Sequence, residues 1–108
     1  MTIETVIEAL LEVKSLNVVR YALPEHDLVD DVIVATAQNS VHLRAVVETT
    51  HKVVGKTEGT SRLSGRPESG WLIFDGGSFI LHVLTSDIRE LYDLDHLFMH
   101  RGGVAYHH

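Results

Sequence analysis

The chain has 108 residues, 44% hydrophobic and 22% charged, with a net charge of −6 and no cysteine. That length accommodates one core and leaves no room for a second domain, and the lack of thiols excludes disulfides, thiolate zinc sites, iron–sulfur ligation and a cysteine nucleophile. Nine basic residues against fifteen acidic ones leave little direct nucleic-acid binding to expect, since Lys and Arg supply most of the affinity for phosphates; an acidic body suits a basic protein partner better.

No apolar run approaches the ~20 residues of a membrane-crossing helix, so no membrane partner is expected. The opening Met1-Thr2-Ile3-Glu4 has neither the basic start of a signal peptide nor the Arg/Ser bias of a transit peptide. The expected location is the cytoplasm, or an organelle if a leader has been removed. There is no repeat and no low-complexity tract.

In chain order, Ile3, Val6, Ile7, Leu10 and Val13 recur at helical spacing with Glu4, Glu8 and Glu12 on the other side, which predicts a helix over 3–13. Those glutamates repel weakly, so packing must hold it. Asn17 to Leu23 is rich in β-branched and aromatic residues and stops at Pro24, predicting a strand. Asp31-Val32-Ile33-Val34-Ala35-Thr36 predicts a second, more apolar one. Ser40 is the expected N-cap of the next helix, whose apolar face carries Leu43, Val46, Val47 and Val54 and which stops at Gly55. Residues 55–70 read as a loop with a short strand near Arg62-Leu63. Lys52, Lys56, Arg62 and Arg66 make this stretch locally basic, but Glu58 and Glu68 dilute it.

The run from Trp71 to Leu84 is the strongest local signal. Two apolar segments flank Gly76-Gly77, a pair able to take positive φ at both turn positions, so this is a hairpin with both faces covered. Ser86 and Asp87 cap a last helix through Ile88, Leu91, Tyr92, Leu94, Leu97 and Phe98. The expected organisation is a single α/β domain over 1–98, a mixed β-sheet flanked by helices, followed by a flexible, Gly- and His-rich tail over 99–108.

Gly70-Trp71-Leu72-Ile73-Phe74-Asp75, then Gly77, then the strand ending His82-Val83, resembles the signature of the Iojap family of ribosomal silencing factors. Arg89-Glu90-Leu91-Tyr92-Asp93-Leu94-Asp95-His96-Leu97-Phe98 is similar to that family's closing motif, and Asp31 to Thr36 with Ser40 to its aspartate-led strand and serine-led helix. The resemblance runs from about residue 17 to 98. Ala22, Ser64, Ser78 and Phe98 depart from the family's aspartate, glutamate, aspartate and tryptophan. It implies a nucleotidyltransferase-like fold without the catalytic residues. It also implies binding to the large ribosomal subunit through large-subunit ribosomal protein fourteen, a steric block to subunit joining that represses translation, and a homodimer when free.

On that resemblance the partner-binding residues are Trp71, Leu72, Tyr92, Asp93, Leu94, Asp95 and Phe98. Tryptophan is favoured at interface hot spots, although it is as often core, and one or two of Tyr92, Leu94 and Phe98 should reach a partner. Asp93 and Asp95, with Asp87 and Glu90, give the last helix an acidic side, which reads either as a solvated face or as a docking surface for a basic protein. His82, inside an apolar strand, reads as a hydrogen-bonded core histidine. The C-terminal histidines lack the spacing of a zinc site, so no metal and no cofactor are expected.

A small nucleotidyltransferase is the alternative from a different class. Its chemistry needs carboxylates converging on magnesium. Asp30 and Asp31 are adjacent in a strand and point to opposite faces, Gly59-Thr60-Ser61 has no Asp-x-Asp after it, and no Walker loop occurs. No enzymatic activity is therefore expected. An acidic adaptor for some other basic protein shares every physical feature except the family resemblance.

Overall fold

The computed structural model describes residues 2–25, 27–55 and 62–108; Lys56 of the basic stretch, Glu58 and Gly59-Thr60-Ser61 lie outside them. Helix α1 (Ile3–Glu12) is capped by the Thr2 side chain, which accepts from the Thr5 amide, and buries Val6, Ile7, Ala9 and Leu10. Strands β1 (Leu16–Ala22) and β2 (Asp31–Ala37) pair antiparallel. Helix α2 (Ser40–Val54) starts one residue earlier than expected: Asn39 is its cap, accepting from the His42 amide, so Ser40 is the first helical residue and not the cap. Gly55 ends it at φ 70°, in the left-handed region that glycine adopts without steric cost.

After β3 (Arg62–Arg66) and a 3₁₀ turn (Pro67–Ser69), β4 (Trp71–Asp75) and β5 (Phe79–Thr85) form the expected hairpin. Its two glycines serve different ends. Gly77 takes φ 91°. Gly76 is needed for space, because a Cβ there would lie 2.2 Å from the Phe79 ring.

The sheet is six-stranded in the order β3-β4-β5-β2-β1-β6, mixed because the central β2–β5 pair is parallel and the other pairs are antiparallel. A parallel pair needs a crossover, and α2 with β3 and β4 supplies it.

Two regions depart from expectation. The last helix is broken: α3 (Ser86–Tyr92) and α4 (Leu94–His100) meet at Asp93, which is left-handed at φ 46° and ψ 53°. Asp tolerates that conformation better than most residues, and its carboxylate accepts from the His96 amide at 3.3 Å to start α4. The expected flexible tail over 99–108 is instead ordered structure. Residues 99 and 100 end α4, and β6 (Val104–His107) pairs antiparallel with β1, from Val19↔His107 to Ala22↔Val104. Without β6, β1 would present an unpaired ladder of backbone groups, and Val104 and Tyr106 are residue types that favour strands.

One face of the sheet carries the main core, in which Val6, Leu10, Leu43 and Val46 of the helices meet Ile33, Phe74, Leu81 and Val83 of the strands. On the other face Val19, Tyr21, Val32, Val34 and Leu84 pack against Leu94 and Phe98 of α4. Each such side chain contributes about 1.5–3 kcal/mol on full burial.

Candidate protein-docking site

Burial alternates along β4, as a strand's period of two requires. Leu72 and Phe74 therefore join the main core, while Trp71 lies on the α3/α4 face. Trp71 is paired with Leu84 of β5, which makes His82, two residues earlier in β5, its diagonal neighbour on the same face.

The indole Nε1–H of Trp71 donates to Nδ1 of His82 at 3.1 Å. An accepting Nδ1 means a neutral imidazole with its proton on Nε2, and burial favours that form by lowering the His82 pKa to about 4. Ring centroids lie 5.8 Å apart for His82 and Phe98, 5.9 Å for Trp71 and His82, and 5.0 Å for Trp71 and Tyr92. Four rings thus run in a row from Phe98, 6% exposed, to Tyr92, 56% exposed. Such tilted pairs add about 0.5–1.5 kcal/mol each beyond their burial.

A polar clamp holds the short helices to the sheet. Arg89 donates from Nε and Nη2 to both carboxylate oxygens of Asp95, at 2.9 and 2.8 Å, and from Nη1 to the Asn17 carbonyl at 2.6 Å and the Thr36 hydroxyl at 2.9 Å. The Tyr21 hydroxyl also donates to Asp95. Burial raises the Asp95 pKa, but the hydrogen bonds from Arg89 and Tyr21 outweigh it and hold the carboxyl below its ordinary range. The Tyr21 hydroxyl is pushed up, by burial first and then by Asp95. Beside the row of rings lies a cleft of about 490 Å³ walled by Leu23, Val32, Ile80, Leu97 and Phe98, with His82 contributing to the wall.

The seven partner-binding candidates separate accordingly. Tyr92 and Asp93 are exposed and Trp71 is half-buried against Tyr92. Leu72 is corrected to a core residue: 2% exposed, it faces α1 and α2, away from Trp71. Leu94 and Phe98 are likewise corrected to buried positions, because α4 lays that stripe on the sheet. Asp95 is no free surface charge, since Arg89 and Tyr21 engage it. The open acidic side is then Asp87, Glu90 and Asp93. His82 is hydrogen-bonded as expected, but to Trp71, a pairing that the hairpin register alone would have indicated.

The family model for "Ribosomal silencing factor during starvation" matches residues 1–105. The chain belongs to the RsfS family. The RsfS ribosomal silencing factor of Zymomonas mobilis is 21% identical over 100 residues, spanning 91% of this chain and 75% of that protein. A crystal structure of a Chromobacterium violaceum protein superposes with a TM-score of 0.72 at 25% identity, over 88% of this chain and 81% of the other. A second, from Bacillus halodurans, gives 0.74 at 24% identity, over 87% and 90%. The mixed-sheet α/β fold and the silencing-factor family are therefore both shared with known proteins.

Proposed function

We propose that this RsfS-family chain docks on the large ribosomal subunit through large-subunit ribosomal protein fourteen and silences translation by occupying the space the small subunit must enter. The observation that carries this reading is Tyr92, exposed at the end of a rigid row of rings and backed by Trp71. An aromatic anchor held by packing loses little freedom on binding. The acidic groups Asp87, Glu90 and Asp93 beside it complement a basic protein and accelerate encounter more than they strengthen the complex.

The action is occupancy, with no bond made or broken. Asp31 is engaged by Arg20 at 2.7 Å, and among the described residues no three His, Asp or Glu side chains gather to hold a metal ion. No helix of the described chain is long and apolar enough to cross a membrane. We place the chain in the cytoplasm, with little direct contact to nucleic acid, and as a homodimer when free; light scattering on the purified protein tests the last point.

The decisive assay mixes purified ribosomal subunits with the protein and measures joined ribosomes by sedimentation. Wild type lowers the joined fraction, and Tyr92→Ala and Trp71→Ala lose most of that effect. Full joining in the presence of excess folded wild type would overturn the proposal.

A further inference from the structure

We infer that His82 is a positioning residue for docking: its Nδ1 fixes the indole of Trp71, and through it the exposed ring of Tyr92, in the orientation that meets the partner. This rests on the docking reading above.

The argument is geometric. Trp71 is attached at the first residue of β4, next to the 3₁₀ turn, and its ring, packed on the second core, has a ring neighbour on each of two sides. On one side Tyr92 lies 5.0 Å away between centroids, but that ring is itself 56% exposed and cannot anchor anything alone. On the other side stands the 3.1 Å hydrogen bond to His82, which sits mid-strand in β5, between β2 and β4, and packs against the buried Phe98 ring. His82 is the one member of the row that joins the Trp71–Tyr92 pair to the interior by a directional bond. Without it, the half-buried indole keeps its apolar packing on the second core but loses the directional bond that sets its angle, and the backing of Tyr92 loosens. Ordering a side chain at the moment of binding weakens association by about two- to tenfold. The imidazole suits the task because burial keeps it neutral, so Nδ1 stays an acceptor throughout the physiological pH range.

The chain has a single tryptophan, so its indole N–H gives one resonance in a proton–nitrogen spectrum, readable without any ribosome. The test compares wild type, His82→Leu and His82→Asn, the last placing an amide oxygen close to where Nδ1 stands. Two readouts are taken on each folded protein: solvent exchange of the indole N–H, and affinity for purified large ribosomal subunits. Wild type should show a protected indole and bind. His82→Leu should lose protection and bind about fivefold more weakly, and His82→Asn should recover both.

Binding of His82→Leu within about twofold of wild type, with its indole unprotected, overturns the inference while leaving the docking reading intact. So does weak binding by His82→Asn with the indole protected, which would make the effect merely structural. Absence of wild-type binding despite a protected indole overturns the docking reading itself, and this inference with it.

Discussion

Helices α1 and α2 cover one face of the sheet with apolar, almost fully enclosed side chains, whereas α3 and α4 cover the other with two seven-residue helices, a charged clamp and a row of rings. The first face is built as an ordinary core is, from burial that is insensitive to direction. The second depends on bonds that must point correctly: Arg89 to Asp95, Tyr21 to Asp95, Trp71 to His82. Helices of seven residues have little stability of their own, so the clamp holds in place what propensity cannot. The contrast shows how a docking surface can be built, since the second face sets the exposed Tyr92 ring on an indole that a hydrogen bond fixes from below.

Perturbations should separate the two faces, and the largest effect belongs to the closed one. Phe74→Ala, on the α1/α2 side, should destabilise the whole domain by about 3–5 kcal/mol, measured by urea unfolding. A much smaller loss would mean that this core is looser than its enclosure implies.

Acid should act next, and on the other face. Unfolded His82 takes up a proton near 6.5, whereas the folded one resists protonation down to about 4. Between those values the unfolded state binds more protons, so stability falls as pH drops, by about 3 kcal/mol in all. Asp95, held below its ordinary range by Arg89 and Tyr21, adds a further loss in the same direction as pH falls through its folded value. Unfolding curves at a series of pH values should flatten between 6.5 and 4 in His82→Asn; an unchanged slope would place the sensitivity elsewhere.

Arg89→Met comes third, at about 2 kcal/mol, because it strands a half-buried Asp95 carboxylate. Asp95→Asn should cost less alone, and a double-mutant cycle should show coupling between the two. Additive effects would remove the clamp from the account. Tyr92→Ala is the smallest in stability, at about 0.5–1 kcal/mol, since the ring is more than half in water and loses a single ring pair, with Trp71.

Elements with a strong period were legible in the sequence: α1, α2, the hairpin and the two apolar strands follow from spacing and from Pro and Gly. Leu72 could also have been placed, because a strand that turns Trp71 to one face must turn Leu72 to the other. The break at Asp93 was not legible, since neither Gly nor Pro marks it and the left-handed turn is carried by an aspartate. Strand β6 was hidden because its partner is β1, far back in the chain, and pairing over such separation leaves no local mark. The same holds for Asp95: its charge looked available until Tyr21, 74 positions earlier, was found to engage it. Which stripe of α4 meets the sheet decided Leu94 and Phe98, and helical spacing alone does not say which stripe that is.

The claim that the α3/α4 face does the docking is tested most directly by photo-crosslinking on purified large ribosomal subunits. A photoreactive phenylalanine is placed at position 92 in one protein and at position 8, exposed on α1, in another. Crosslinks to large-subunit ribosomal protein fourteen from position 92 and none from position 8 are the predicted result. Capture from position 8, with position 92 silent, would contradict it.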